Sequence, residues 1–101
     1  MRKETTIDIY GYKWKVRFVD VSEMEDKMDG HTFYNERLIL IRNDLEEITS
    51  ECVLRHELTH AILCIQGRWL QEHFTQEEMC EFIGFQTPLL NKLVAKVRGK
   101  K

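Results

Sequence analysis

The chain predicts an α+β domain, with a small N-terminal antiparallel sheet of about three to four strands packed on two to three helices. Three observations carry this. Within residues 6–41, short runs alternate apolar and polar residues, the period of a half-buried strand. Residues 45–98 instead repeat apolar residues at helical spacing. All the strand-like runs precede the helical ones, which favours segregated strands and helices over a repeating βαβ pattern. A length of 101 residues fits a single domain, residues 1–101, with one core.

Residues 6–19 read as a β-hairpin. Ile7 and Ile9, then Trp14, Val16 and Phe18, alternate with polar residues, and Tyr10-Gly11-Tyr12 supplies the turn. Residues 20–30 are polar and acidic and end at Gly30, which fits a loop or a short helix. Residues 31–34 form a candidate strand and residues 37–41 (Arg-Leu-Ile-Leu-Ile) a stronger one, with Asn35-Glu36 as a tight turn between them.

A long helix is expected over residues 45–65. Asp44 is its expected N-cap, Glu47 completes a capping box, and Gly67 is placed to end it. Residues 67–74 form a connector that carries Trp69 and Phe74. A second helix begins near Thr75, with Met79, Phe82, Ile83 and Phe85 as its apolar positions. Thr87-Pro88 either kinks it or caps a third helix, because proline suits a first turn. Leu89, Leu90, Leu93, Val94 and Val97 continue the apolar stripe to Arg98.

The first helix contains His56-Glu57-Leu58-Thr59-His60, an H-E-x-x-H sequence. Residues i and i+4 lie one above the other on a helix face, so the two imidazoles can grip one metal ion. Their ring nitrogens are donors that zinc prefers. Glu57 is placed to take a proton from a water at that metal, which is the chemistry of a zinc hydrolase. Ile48, Cys52, Val53, Leu54, Leu58, Ala61, Ile62, Leu63, Cys64 and Ile65 surround the motif, so a buried helix is expected. An unpartnered imidazole on an apolar stripe would be costly. The competing reading is a surface helix with two solvated histidines.

A catalytic zinc takes three protein ligands and keeps one position open. Glu78 is the expected third ligand, since Met79, Phe82 and Phe85 mark the inward side of the second helix. Thr75-Gln76-Glu77-Glu78 is also a capping box, in which Glu78 only reaches back to the Thr75 amide. Glu77, Glu81 and His73 are the alternatives, and Glu81 could instead orient a ligand histidine. Cys52, His56, His60 and Cys64 form an i, i+4 ladder that cannot converge on one ion. A helix rises 1.5 Å per residue, so its ends stand about 18 Å apart, whereas zinc ligands lie within about 2.3 Å of the metal. Cys52, Cys64 and Cys80 therefore read as small buried core residues. Tyr34 is a candidate hydrogen-bond donor to an oxyanion, set against plain packing at a strand end, and His31 stands on the same footing.

Composition narrows the function classes. A net charge of -2 gives no general attraction to nucleic acid. The basic tail, Lys92, Lys96, Arg98, Lys100 and Lys101, complements the negative end of a helix dipole, and nucleic-acid contact is not expected. No apolar run approaches the roughly 20 residues that span a bilayer, so no membrane role is expected. No leader pattern precedes the first strand-like run. With an odd number of cysteines, three, this favours reduced thiols in a cytoplasmic protein.

The small sheet, Leu38-Ile39-Leu40-Ile41, Leu54-Arg55-His56-Glu57-Leu58-Thr59-His60-Ala61 and the later Glu77-Glu78-Met79-Cys80-Glu81-Phe82 together resemble the minimal gluzincin-like zinc metallopeptidases. The nearest group is the ImmA/IrrE-like peptidases of phages and mobile elements. The resemblance covers roughly residues 33–83, and it departs at Cys80 and Glu81, where small or amide residues are usual. It implies one zinc per chain held by His56, His60 and a downstream glutamate, with Glu57 as general base. It also implies a protein substrate, such as a bacterial or phage regulator. Residues 37–41 are expected to hold an extended peptide by strand addition. The alternative is a metal-binding interaction module with little or no peptidase activity. A third reading, a DNA-associated accessory protein, rests on the basic tail alone.

Overall fold

The computed structural model describes residues 3–67 and 73–99. Four strands, β1 (Glu4–Ile9), β2 (Tyr12–Val19), β3 (Gly30–Phe33) and β4 (Leu38–Arg42), form one sheet. Two helices, α1 (Glu47–Ile65) and α2 (Gln76–Val97), follow them. The α+β class is the expected one, but the sheet is mixed rather than antiparallel. Its order is β1-β2-β4-β3. β1/β2 and β3/β4 pair antiparallel, whereas β2/β4 pair in parallel, with Val16 opposite Ile39. The cause is the crossover after β2. Residues 20–29, with two short 3-10 turns (Val21–Glu23 and Glu25–Lys27), carry the chain to the outer edge. The hairpin back then inserts β4 between β2 and β3. This corrects the peptide-binding expectation: β4 has both edges paired, and the edge strand beside α1 is β3.

Local chemistry explains most boundaries. Tyr10 (φ 51°) and Gly11 (φ 89°) join β1 to β2 in a two-residue left-handed turn whose twist matches the strands. Asp8 Oδ1 accepts the Gly11 amide at 2.7 Å. The β3–β4 connection is longer than the two residues expected, running from Tyr34 to Arg37, with Arg37 at φ 51°. Asp44 does not cap α1. Its carboxylate takes the Arg42 guanidinium at 2.9 and 2.8 Å. The helix starts later, behind Glu46, whose carbonyl accepts the Ser50 amide at 2.8 Å. Gly67 (φ 74°) follows the end of α1 as expected.

α2 is one helix that runs through Pro88, so no third helix forms. Thr87 does not cap; its hydroxyl donates to the Ile83 carbonyl at 2.6 Å. Pro88 has no N–H for the Gly84 carbonyl, but both residues are exposed, so water can serve that oxygen. Part of the connector, residues 68–72 with Trp69, lies outside the described residues.

The core occupies one face of the sheet. Ile7, Ile9, Trp14, Val16, Phe18, Ile39 and Ile41 pack against Leu54, Leu58 and Ile62 of α1 and Leu93, Val94 and Val97 of α2. The alternation in the sequence identifies Ile7, Ile9, Trp14, Val16 and Phe18 correctly, whereas the all-apolar run at residues 38–41 does not tell Ile39 and Ile41 from Leu38 and Leu40. The helices were harder to phase. Cys52 and Cys80 are exposed and Cys64 is half-buried, which corrects their reading as buried core. Ile48, Met79, Ile83 and Phe85 are also exposed. The deep stripe of α2 is Gln86, Leu93, Val94 and Val97. Gln86 Oε1 accepts the Tyr10 hydroxyl at 2.7 Å, at the tip of the β1–β2 hairpin. Before Gln86, Phe82 is half-buried against the core and the Phe74 ring, while Met79, Ile83 and Phe85 are exposed. At the other end, Arg98 is largely buried and pairs with Glu47 and Glu51, pinning the end of α2 to the start of α1. Among the described residues, no helix is long and apolar enough to cross a membrane.

Candidate functional site

His56 and His60 project from α1 one turn apart. Their Nε2 atoms stand 3.2 Å from each other, with the rings edge to face at 78°. Two nitrogens bound to one tetrahedral zinc at 2.0–2.1 Å are separated by about 3.3 Å. The side chains therefore already hold a spacing that one ion can bridge. The same distance fits an N–H···N hydrogen bond between neutral rings, which satisfies the pair without an ion. His56 is exposed and His60 half-buried, so the histidines lie at the rim of the core rather than on a buried stripe.

Glu57 is turned about 100° from His56 by the helix and lies under β3, against Gly30 and Thr32. It is 7% exposed. The Thr32 hydroxyl donates to Glu57 Oε1 at 2.6 Å and also lies 3.3 Å from the Glu57 carbonyl oxygen. Strand alternation explains the partner. Gly30 and Thr32 face α1 and are buried, while His31 and Phe33 point to the other side, where their rings stack at 4.2 Å. Gly30 leaves the room that the carboxylate fills. A Cβ there would come within 2.7 Å of Val53 Cγ1, 3.0 Å of Glu57 Cγ and 3.2 Å of Glu57 Oε2. Sequence reasoning took Gly30 as punctuation and gave Thr32 no role. Starting the strand one residue earlier, at Gly30, would have placed both on the helix-facing side.

Openings flank this strand at both ends. At its start, a cavity of about 540 Å³ is lined by Met28, Asp29, Gly30, Cys52, Val53, His56 and Glu57. At its end, a second of about 580 Å³ includes Thr32, Tyr34, Glu36 and Cys64. Burial, followed by the nearby Cys64 and Glu57, pushes the Tyr34 phenol above its usual value. It therefore remains a protonated hydrogen-bond donor at neutral pH. Burial also raises the Cys64 thiol, against the pull of Arg37. A protonated thiol is neither a good nucleophile nor a zinc ligand.

The structure brings His56 and His60 together and sets Glu57 beside His56 on one cavity, but does not bring Glu78 to the histidines. Among the described residues, no group of three His, Cys, Asp or Glu side chains gathers around one point. Glu78 instead completes a capping box. Its Oε1 accepts the Thr75 amide at 3.1 Å, and its own amide donates to Thr75 Oγ1 at 3.1 Å. It is half-buried and lines a cavity of about 380 Å³ with Gln66, at the end of α1, and Glu81. Glu77, Glu81 and His73 are exposed.

Compared with known proteins, the chain matches no family model, no curated protein and no solved structure.

Proposed function

We propose that this protein is a zinc-dependent metallopeptidase that hydrolyses a peptide bond in an extended protein segment. One observation carries the reading: two histidine nitrogens stand 3.2 Å apart, and His56 lines the same cavity as Glu57, a buried carboxylate held by a strand hydroxyl. His56 and His60 would hold the zinc ion, which would supply a Lewis acid for the carbonyl and a more acidic water. Glu57 is the general base. With Oε1 engaged by Thr32, Oε2 takes the proton from the attacking water and returns it to the leaving amine. Tyr34 is a donor for the carbonyl oxygen as its charge builds. β3, the edge strand beside α1, pairs with the substrate backbone. The resemblance favours a bacterial or phage regulator as substrate. The free thiols of Cys52, Cys64 and Cys80 favour a reducing compartment, the cytoplasm.

Elemental analysis tests the metal. The parent should carry one zinc per chain, and His56→Ala and His60→Ala should carry none above background. Equal zinc in all three would end the assignment. One observation favours a second reading, a metal-binding module without hydrolysis: no third ligand joins the histidines among the described residues. Zinc retention without cleavage of any peptide would select it.

Glu78 is the third ligand in this proposal; it is half-buried, and to reach the histidines its carboxylate must leave the Thr75 amide that it now caps. Two variants separate ligand from cap. Thr75→Ala removes the cap hydroxyl and should cost about 1 kcal/mol of stability while leaving zinc in place. Glu78→Ala should cost similar stability and also weaken zinc binding strongly. If both variants kept full zinc affinity, Glu78 would be a cap alone.

A further inference from the structure

We propose that the cavity at the start of β3 is a side-chain pocket for a bulky apolar residue of a positively charged, extended peptide. The inference rests on the peptide-cleft reading of the site and adds the class of substrate. Its volume, about 540 Å³, falls within the roughly 300–1,000 Å³ typical of ligand sites. Met28, Cys52 and Val53 form apolar walls, and His56 and Glu57 place the pocket beside the reacting groups. Met28 is 40% exposed, an unbranched side chain able to adapt to different occupants. A peptide added to the β3 edge presents alternate side chains toward α1, so one of them meets this opening.

Charge favours a basic peptide. Residues 20–29 hold five acidic residues and one lysine, and they lead into the pocket at Met28 and Asp29. Asp29 is only weakly neutralised. It lies 3.5 Å from Arg42 Nη1, while the same guanidinium holds Asp44 at 2.8 Å.

Zinc-loaded Glu57→Gln protein, which should bind peptides without consuming them, provides the assay. Labelled decapeptides carry a central Phe, Leu or Ser between Lys or Glu flanks. Phe and Leu peptides should bind about tenfold tighter than Ser peptides, from burial of one apolar side chain. Lys flanks should bind tighter than Glu flanks, by a margin that shrinks with added salt. Adding Cys52→Trp, which fills the pocket from an exposed helix position, should erase the Phe-over-Ser preference while zinc stays at one per chain. Met28→Ala should narrow the same preference if the bulkier change does not fold. Equal binding of Phe and Ser peptides, no binding of either, or a preference that survives both substitutions would overturn the pocket. Parent protein with the same peptides tests hydrolysis separately. A preference without cleavage removes the peptidase reading and keeps the pocket, whereas cleavage without a preference does the reverse.

Discussion

Glu57→Gln should lower the rate of peptide cleavage by about 10²–10⁴-fold, the usual contribution of a general base, and should leave zinc content unchanged. The amide has nearly the shape of the carboxylate, so the space beside Gly30 still fits it. Its oxygen can still accept the Thr32 hydroxyl, which donates to Oε1 at 2.6 Å in the parent. The fold therefore has little reason to change. What is lost is chemical: an amide cannot take the proton from water or return it to the leaving nitrogen. Single-turnover cleavage and elemental zinc on the same preparation measure both halves. Loss of zinc in this variant would make Glu57 a ligand and overturn its role as base. Unchanged cleavage would place the base elsewhere.

How much of this was legible in the sequence depended on which physical signal was local. The β1–β2 hairpin and its core residues followed from alternation, because one sheet face is buried and the other is not. The H-E-x-x-H geometry followed from helical repeat alone: His56 and His60 converge because they lie four residues apart. The capping box at Thr75 and Glu78 was also visible, because its partners are three residues apart. Non-local features were not. Nothing within residues 30–42 states that β4 pairs in parallel with β2 and leaves β3 at the edge. Asp44 lost its capping role to Arg42, a competitor two residues away that the capping pattern does not weigh. The phase of α2 was misjudged because Met79 and Phe85 look like core residues in sequence. They are exposed, while Phe82 between them packs against the core, so the buried side of this stretch is set by tertiary contacts. Thr32 and Gly30 entered the site for the same kind of reason. Their roles depend on a strand meeting a helix some 25 residues away.

Gly30→Ala tests that meeting most directly. Gly30 does not need glycine for its backbone, since it is not among the residues with positive φ. It needs the missing Cβ. An added methyl would sit 2.7 Å from Val53 Cγ1, closer than real contacts allow, and 3.0 Å from Glu57 Cγ. Either β3 moves away from α1 or the Val53 and Glu57 side chains leave their positions. Overpacking of this kind costs about 1–3 kcal/mol, readable as a lower urea midpoint. A shift of about 1 Å in a catalytic group can also cost on the order of 10²-fold in rate. Zinc should stay bound, because the nearest atoms to the added methyl belong to Val53 and Glu57 and not to either histidine. The double variant with Val53→Ala separates the two effects. Removing Cγ1 relieves the worst contact and should restore part of the stability. The contacts at Glu57 Cγ and Oε2 remain, so cleavage should stay low. Full recovery of rate in the double variant would show that Glu57 tolerates the added methyl and that Val53 alone enforces the glycine. Parent-like stability and rate in the single variant would show that β3 is not held against Glu57 at all, and Thr32 would then lose its claim to position the base.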